Sequence, residues 1–247
     1  MRKCLILIIC IFTLPFTVYS YGQELKVGIS HFDPPFVMQI TPQHFTGFDI
    51  SMAGYICKKL NYECTLTAMP WDDLIAAVAN KKIDIAVSGL SMPDETSSEV
   101  AYSLPYLIIK IHVIGLKNNT NAQFNLEQLN NTNIGTSDKN YFEQFQKLKF
   151  KNTKFIFYDQ DDALINALKK GKINYALTDS YSAGYWNVNS SNTIADLGPI
   201  NDIEYHGVIA INPTNPMLQS NINKALINYL KSQEFLSNYR NNLLHLQ

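Results

Sequence analysis

Apolar and polar residues follow a helical and then a strand-like pattern between residues 71 and 89. The apolar positions of the helical part lie three and four residues apart: Leu74, Ile75, Val78 and Ala79. Residues 83–87 then form an apolar run that predicts a buried strand, and Ser88 and Ser91 follow it. Because open α/β sheets bind ligands at the carboxyl ends of their strands, Ser88 and Ser91 are candidate ligand residues.

The same helix–strand pattern occurs again 90 positions further on, in residues 161–179. Seven of the 19 aligned positions are identical, and no gap is needed. Two amphipathic units obey one binary pattern, so part of this likeness can arise by chance. The alternative is two similarly built lobes, which present residues 88–89 and 178–179 to a shared cleft.

The rest of the pattern predicts an α/β fold. Strands that alternate with helices, as in a mostly parallel sheet, are predicted at residues 25–29, 63–69 and 83–87. Residues 30–36 predict a proline-stiffened turn after the first strand. A strand at 107–116 leads into a second lobe, and an apolar run at 207–211 predicts the return strand. We therefore expect lobe 1 at 24–111 plus 207–247, and lobe 2 at 112–206.

Residues 1–20 have the layout of a secretory signal peptide. Two basic residues precede an apolar run at residues 5–14, and Val18 and Ser20 form a −3/−1 cleavage pattern. The run is short for a membrane span, although an uncleaved anchor is the alternative. We expect an exported protein.

Composition limits the partners. The 247 residues are 46% apolar and 17% charged, which suits a globular chain. Its 20 basic and 21 acidic residues give no excess of positive charge, so we expect no nucleic-acid partner. The sequence contains no phosphate-binding glycine loop or zinc-ligand spacing, and we expect no cofactor and no metal.

Removal of the signal peptide leaves Cys57 and Cys64 as the cysteines of the mature chain. In an oxidising compartment, two cysteines separated by a helix end and a turn favour a disulfide bond. Two free buried thiols are the alternative, and a metal pair is disfavoured without a nearby histidine.

Four motifs occur in order along the chain: GFDI at residues 47–50, PWDDLI at 70–75, KKIDIAVSGLSM at 81–92 and VAYSLPY at 100–106. Together they resemble the polar amino-acid family of periplasmic solute-binding proteins of ABC transporters, family 3 of the bacterial extracellular solute-binding proteins. The resemblance covers almost the whole mature chain. It implies two α/β lobes, joined by two hinge strands, that close on a ligand. It also implies a periplasmic monomer that delivers its ligand to an ABC permease at the inner membrane.

The resemblance extends to the cysteines and to single site residues. The spacing of Cys57 and Cys64 is similar to that of the lysine/arginine/ornithine- and histidine-binding branch, which has a disulfide there. Trp71 corresponds to an aromatic residue that stacks on the ligand, although packing between helix and sheet is the alternative. Asp179 corresponds to a carboxylate that receives the ligand's α-ammonium, and helix capping is its alternative.

Ser88, Gly89 and Ser91 correspond to the hydroxyl and backbone groups that hold the α-carboxylate in this family. The arginine that usually grips the same carboxylate is replaced by Thr96, and the chain contains only two arginines, at positions 2 and 240. A lysine could supply charge but not the planar fork of arginine. The usual grip on an α-carboxylate is therefore altered here.

Two further positions depart from the family pattern. Asp33, with Phe36 beside it, replaces an aromatic residue near the first strand end, and Asn140 follows a lysine where the family has Gly-Thr or Gly-Ser. An acidic and aromatic site without arginine suits an ammonium or guanidinium group. We therefore expect a small nitrogenous solute, a basic amino acid or a related amine.

Two other functions are compatible with the sequence. Some exported dehydratases of cyclohexadienyl acids have a similar scaffold, and His31 and Asp33 could provide acid–base chemistry. A ligand-sensing receptor domain is disfavoured, because we find neither a second membrane span nor a signalling domain in this sequence. Capture for transport, without catalysis, is the function that we expect.

Overall fold

The computed structural model describes residues 23–93, 98–117 and 124–246. The strands are β1 (Gln23–Ser30), β2 (Phe32–Asp33), β3 (Val37–Thr41), β4 (His44–Thr46), β5 (Tyr62–Met69), β6 (Ile85–Ala86), β7 (Ala101–Tyr102), β8 (Leu107–Leu116), β9 (Asn133–Thr136), β10 (Lys154–Phe157), β11 (Tyr175–Asp179), β12 (Ile194–Gly207) and β13 (Ala210–Ile211). The helices are α1 (Phe48–Leu60), α2 (Asp73–Ala79), α3 (Lys139–Gln146), α4 (Asp161–Lys169), α5 (Ser180–Asn189), α6 (Pro216–Leu230) and α7 (Gln233–Asn242), with 3-10 helices at Leu126–Leu129 and Leu244–Leu246. Within these described ranges, no helix has the length and apolar character needed to cross a bilayer.

The first lobe is built on a five-stranded sheet of order β5-β1-β6-β13-β7. β5, β1 and β6 are parallel, whereas β13 runs antiparallel to both of its neighbours. Alternate residues of β1, namely Leu25, Val27 and Ile29, are at most 2% exposed, because helices cover the sheet. The carboxyl ends of β1 and β6 therefore open on the same side.

The second lobe is built on a five-stranded sheet of order β10-β9-β11-β8-β12. β10, β9 and β11 are parallel, and β8 runs antiparallel to β11 and to β12. The helix–strand unit of residues 161–179 forms α4 and β11 here, as α2 and β6 form the corresponding unit of the first lobe. The predicted repeat is therefore present as two structurally equivalent units, one in each sheet.

Two adjacent strands connect the lobes. The chain enters the second sheet along β8 and leaves it along β12, which pairs antiparallel with β8 down to Gly207 opposite Leu107. Val208 N–H then donates to the Leu90 carbonyl at 2.8 Å, and β13 joins the first sheet. The predicted fold class, two α/β lobes joined by two hinge strands, is confirmed. The exact lobe boundaries stay a prediction.

Two elements differ from the sequence prediction. Residues 32–46 form a small antiparallel sheet of order β2-β3-β4 where only a turn is predicted. The return segment is also longer than the predicted residues 207–211, because β12 already begins at Ile194. Gly198, with φ of 103°, and Pro199 interrupt the alternation of β12, and its partner strand lies about ninety residues away in sequence. Local periodicity therefore could not reveal this strand.

Cys57 and Cys64 form a disulfide bond with 6.1 Å between their Cα atoms. Cys57 lies in the last turn of α1, and Asn61 ends the helix in the left-handed conformation, with φ of 56°. This turn reverses the chain so that β5 begins at once and brings Cys64 beside the helix end. The predicted pairing is confirmed.

Replacement of both cysteines, Cys57→Ser with Cys64→Ser, should lower the free energy of unfolding by about 2.5 kcal/mol, because the short loop no longer restricts the unfolded chain. Urea unfolding with and without reductant measures this difference. Reductant should destabilise the parent protein and leave the double variant unchanged. Equal stability of the parent with and without reductant would contradict the expectation.

Candidate functional site

A cavity of about 330 Å³ lies between the two lobes, at the carboxyl ends of strands from both sheets. Ser30 at the end of β1 and Gly89 after β6 line it from the first lobe. Ser137 after β9 and Asp179 at the end of β11 line it from the second. Strand ends of parallel sheets are the usual ligand positions in α/β folds, so this cavity is the candidate binding site.

The first lobe contributes a buried hydroxyl–carboxyl cluster. The Ser88 hydroxyl is fully buried, 2.6 Å from Ser30 Oγ and 3.0 Å from Asp33 Oδ2. Trp71 Nε1 donates to the Ser88 carbonyl at 2.9 Å. That bond fixes the half-buried indole ring in the cavity wall. The ring packs against the core of the first lobe and also lines the cavity, where a ligand can contact it.

Asp49 lies behind this wall and binds the backbone at Gly89. Its Oδ2 accepts from the Gly89 N–H at 2.8 Å and from the Tyr106 hydroxyl at 2.9 Å. Gly89 has a φ of 59°, and a Cβ there would lie 2.8 Å from the Phe36 ring and 3.1 Å from Asp33 Oδ2. Only glycine fits this position without strain, and its N–H is already bonded inside the protein.

The second lobe presents carboxyl groups at the starts of three helices. Asp179 Oδ1 caps α5 by accepting from the N–H groups of Tyr181 at 2.8 Å and Ser182 at 2.9 Å. Asp138 Oδ1 caps α3 by accepting from Asn140 N–H at 2.7 Å, and Ser137 Oγ donates to Asp161 at the start of α4. A carboxylate is stabilised at a helix N-terminus, so the fold holds these groups at the cavity.

These carboxyl groups in the cavity, and Asp49 behind its wall, are shielded from bulk water. Burial is the main cause of a higher pKa in each, and it raises the pKa of Asp49 and of Asp138 to about 7 and that of Asp161 to about 6. The pKa of Asp33 lies well above its usual range, through burial and then through the charges of Asp161 and Asp179. Burial also raises the pKa of Asp179.

Six aspartates line the cavity: Asp33, Asp138, Asp159, Asp161, Asp162 and Asp179. Among the residues that the structure describes, no lysine or arginine lines it with them. A cation in this cavity would relieve both the burial cost and the mutual repulsion of the acids.

Contacts between the lobes hold the cleft closed in this structure. Lys139 Nζ lies 2.9 Å from Asp72 Oδ2 across the mouth. Ser182 Oγ donates to the Pro34 carbonyl at 2.7 Å, and the rings of Phe36 and Tyr181 meet edge to face at 5.9 Å. A ligand in the cavity would thus be enclosed by both lobes.

The structure brings most of the predicted site residues together. The cavity is lined by Asp33, Phe36, Trp71, Gly89 and Asp179. Ser88 and Ser91 lie behind the lining. Ser88 is fully buried, and Ser91 is 8% exposed and forms an isolated antiparallel β-bridge with Gly207.

Two predicted residues do not contribute in the expected way. Asn140 is not among the lining residues, because the chain turns into α3 at Asp138 and Asn140 lies inside the helix. Thr96 lies outside the described residues.

The sequence prediction missed Asp138 and Asp161 as lining residues. Both lie immediately before or at the start of a helical pattern. Acidic residues are common helix caps there, so the pattern alone does not indicate a binding role. The internal repeat contained a signal for Asp161, since it aligns with Trp71, which lines the same cavity from the opposite lobe.

Two lobes that close over one small cavity define a solute-binding protein. The sequence profile of the bacterial extracellular solute-binding proteins, family 3, matches residues 25–243, so the chain belongs to that family. It is thus a solute-binding protein, as its motifs predict.

Similarity to individual proteins extends over most of the chain. ABC transporter arginine-binding protein 1 of Escherichia coli (strain K12) is 27% identical over 210 residues, which cover 84% of this chain and 85% of that protein. The solved structure of an ancestral arginine-binding protein bound to arginine is 26% identical, with a TM-score of 0.79 over 90% of this chain and 98% of that one. An ancestral amino acid-binding protein, a precursor of cyclohexadienyl dehydratase, shares the fold, with a TM-score of 0.79 at 22% identity over 89% of this chain and 95% of that one.

The raised carboxyl pKa values predict an unusual pH dependence of stability for the closed form that the structure shows. Asp49, Asp138 and Asp161 bind protons more tightly folded than unfolded, so their contribution is complete below about pH 4 and is lost as the pH rises through 6 to 7. Thermal unfolding between pH 5 and pH 8 should therefore show a falling midpoint.

Asp138→Asn should flatten this profile, because asparagine caps a helix as well as aspartate does but does not titrate. Glu63→Gln, at an exposed position of β5, is the matched control and should leave the slope unchanged. A midpoint that rises steadily to pH 8 in the parent would contradict this interpretation of the site.

Proposed function

We propose that this protein captures a small cationic nitrogenous solute, a basic amino acid or a related amine, and delivers it to an ABC permease. The observation that supports this most strongly is the set of six aspartates around one closed cavity. A positively charged group inserted there pairs with ionised carboxylates and contacts an aromatic face at Trp71. The similarity to arginine-binding proteins points to the same class of ligand.

Binding and closure are coupled in this proposal. With the lobes apart, Asp33 on one side and Asp161 and Asp179 on the other are hydrated separately. Closure brings them into one space, where they repel each other unless a cation lies between them. The ligand thus stabilises the closed form, because it contacts both lobes in that form and only one lobe when they are apart. The lobes move about the paired strands β8 and β12.

The cellular setting follows from the family and from the first residues of the chain. We infer that residues 1–20 direct export and that the mature protein acts as a monomer in the periplasm. The permease would recognise the closed form, because closure is the change that reports an occupied site.

We also infer that the cleft binds its ligand without converting it. His31 and Asp33 line the same cavity, and burial keeps Asp33 protonated to an unusual pH, so acid–base chemistry is the competing function. Mass spectrometry of a bound solute after long incubation distinguishes the two, since a binding protein returns the solute unchanged and an enzyme returns a product.

Calorimetric titration with lysine, arginine, putrescine, glutamine and glutamate tests the proposed ligand class. The three cations should bind, and glutamate should not. Asp179→Asn retains the cap of α5 but removes one negative charge, so it should weaken cation binding by about 2–5 kcal/mol, as for truncated buried charge pairs.

Glu63→Gln removes one negative charge outside the cavity and should bind each cation as the parent does. Thermal unfolding of each variant shows whether the fold is retained. Tight binding of glutamate that is undiminished in Asp179→Asn would overturn the assignment of a cationic ligand.

A further inference from the structure

The hydrogen-bond donors of the cleft show which end of a zwitterion the site can accept. A free α-carboxylate in a desolvated cavity needs N–H groups, O–H groups or a cation to replace its water. Four backbone positions could supply such N–H groups. The N-terminus of α4 has no side-chain cap, but Asp161 and Asp162 lie in its first turn and repel an anion. The other three are the N-terminus of α3, the N-terminus of α5 and Gly89. Each of these is already bonded to an aspartate of this chain, namely Asp138, Asp179 and Asp49 respectively.

The side-chain donors near the cavity are similarly engaged. Trp71 Nε1 donates to a backbone carbonyl, Ser137 Oγ donates to Asp161, and Lys139 at the mouth pairs with Asp72. Neutral donors that remain in the lining include Gln39 and Gln160, which are exposed, and the hydroxyl groups of Tyr141 and Thr178, which are buried. Neutral donors alone do not offset the repulsion between a bound carboxylate and those of the six aspartates that are ionised.

The acceptors, in contrast, lie on both sides of the cavity. Asp33 belongs to the first lobe, whereas Asp161 and Asp179 belong to the second, and these three groups interact electrostatically across the space between them. A ligand with one positive charge pairs with the carboxyl groups of one lobe and leaves the negative charge of the other lobe uncompensated. A ligand with a positive charge at each end compensates both lobes at once.

We propose that the physiological ligand is an organic dication without a carboxylate, a diamine or a guanidino-amine, that bridges the carboxyl groups of the two lobes. This inference depends on the proposed capture of a cationic solute and narrows it. The described part of the cleft provides acceptors for such a ligand at both ends and has no lysine or arginine to pair with a carboxylate.

Three pairs of ligands test the inference, because the members of each pair differ only by the α-carboxylate: arginine and agmatine, lysine and cadaverine, ornithine and putrescine. Calorimetry on the mature chain at pH 7.5 should give at least about tenfold tighter binding for the decarboxylated member of each pair, since a like charge in the site costs several kcal/mol. Equal or tighter binding of the amino acids in two of the three pairs would overturn it.

The outcomes separate this inference from the proposed function. If neither member of any pair binds, or if Ca²⁺ binds more tightly than every diamine, capture of an organic cation itself is wrong. If both members bind and the amino acids are preferred, capture of a cation stands and only the absence of a carboxylate is refuted.

A matched pair of variants tests the donor argument directly. Asp138→Ala removes a charge and frees the N–H groups at the start of α3, whereas Asp138→Asn removes the same charge and keeps them bonded. The preference for agmatine over arginine should shrink more in Asp138→Ala than in Asp138→Asn. An equal change in the two variants would show that the occupied helix N-terminus plays no part, and would overturn the argument.

Discussion

Repulsion between carboxyl groups that face one shielded space is the constraint on which this structure depends. Burial raises the pKa of Asp33 in one lobe well above its usual range, and the charges of Asp161 and Asp179 in the other lobe raise it further. Such groups would move apart or recruit cations unless the backbone held them. Helix starts hold Asp138 and Asp179 in this way, and the Gly89 N–H holds Asp49 behind the cavity wall. The cleft is thus acidic because its own donors are used to fix acids in place.

This constraint explains how closure can depend on a ligand. The ion pair between Lys139 and Asp72 joins the lobes at the mouth, but the Lys139 side chain is 64% exposed, and such exposed pairs contribute at most about 1 kcal/mol. The buried carboxyl groups interact more strongly, since water screens them less. The occupant of the cavity, and not the pair at its rim, therefore determines whether the closed form is favoured.

Much of the fold could be predicted because its signals are local. The helix–strand unit at residues 71–89, its repeat and the disulfide each depend on neighbouring residues. The sheet of residues 32–46 and the strand β12 could not be predicted, because their pairing depends on contacts distant in sequence or on strands only two to five residues long. Asp49 illustrates the limit for the site: it resembles an ordinary acid of a first helical turn, yet it is fully buried and holds Gly89.

Proton exchange on binding tests the central claim most directly. Near pH 6.5, close to the pKa values of Asp138 and Asp161, part of the cleft's carboxyl groups hold protons. A bound cation lowers these pKa values. Calorimetric titration with agmatine in buffers of different ionisation enthalpy should therefore show a net release of protons. Binding with no proton exchange, or with proton uptake, would contradict the claim that a bound cation pairs with the carboxyl groups of an acidic cleft and lowers their pKa values.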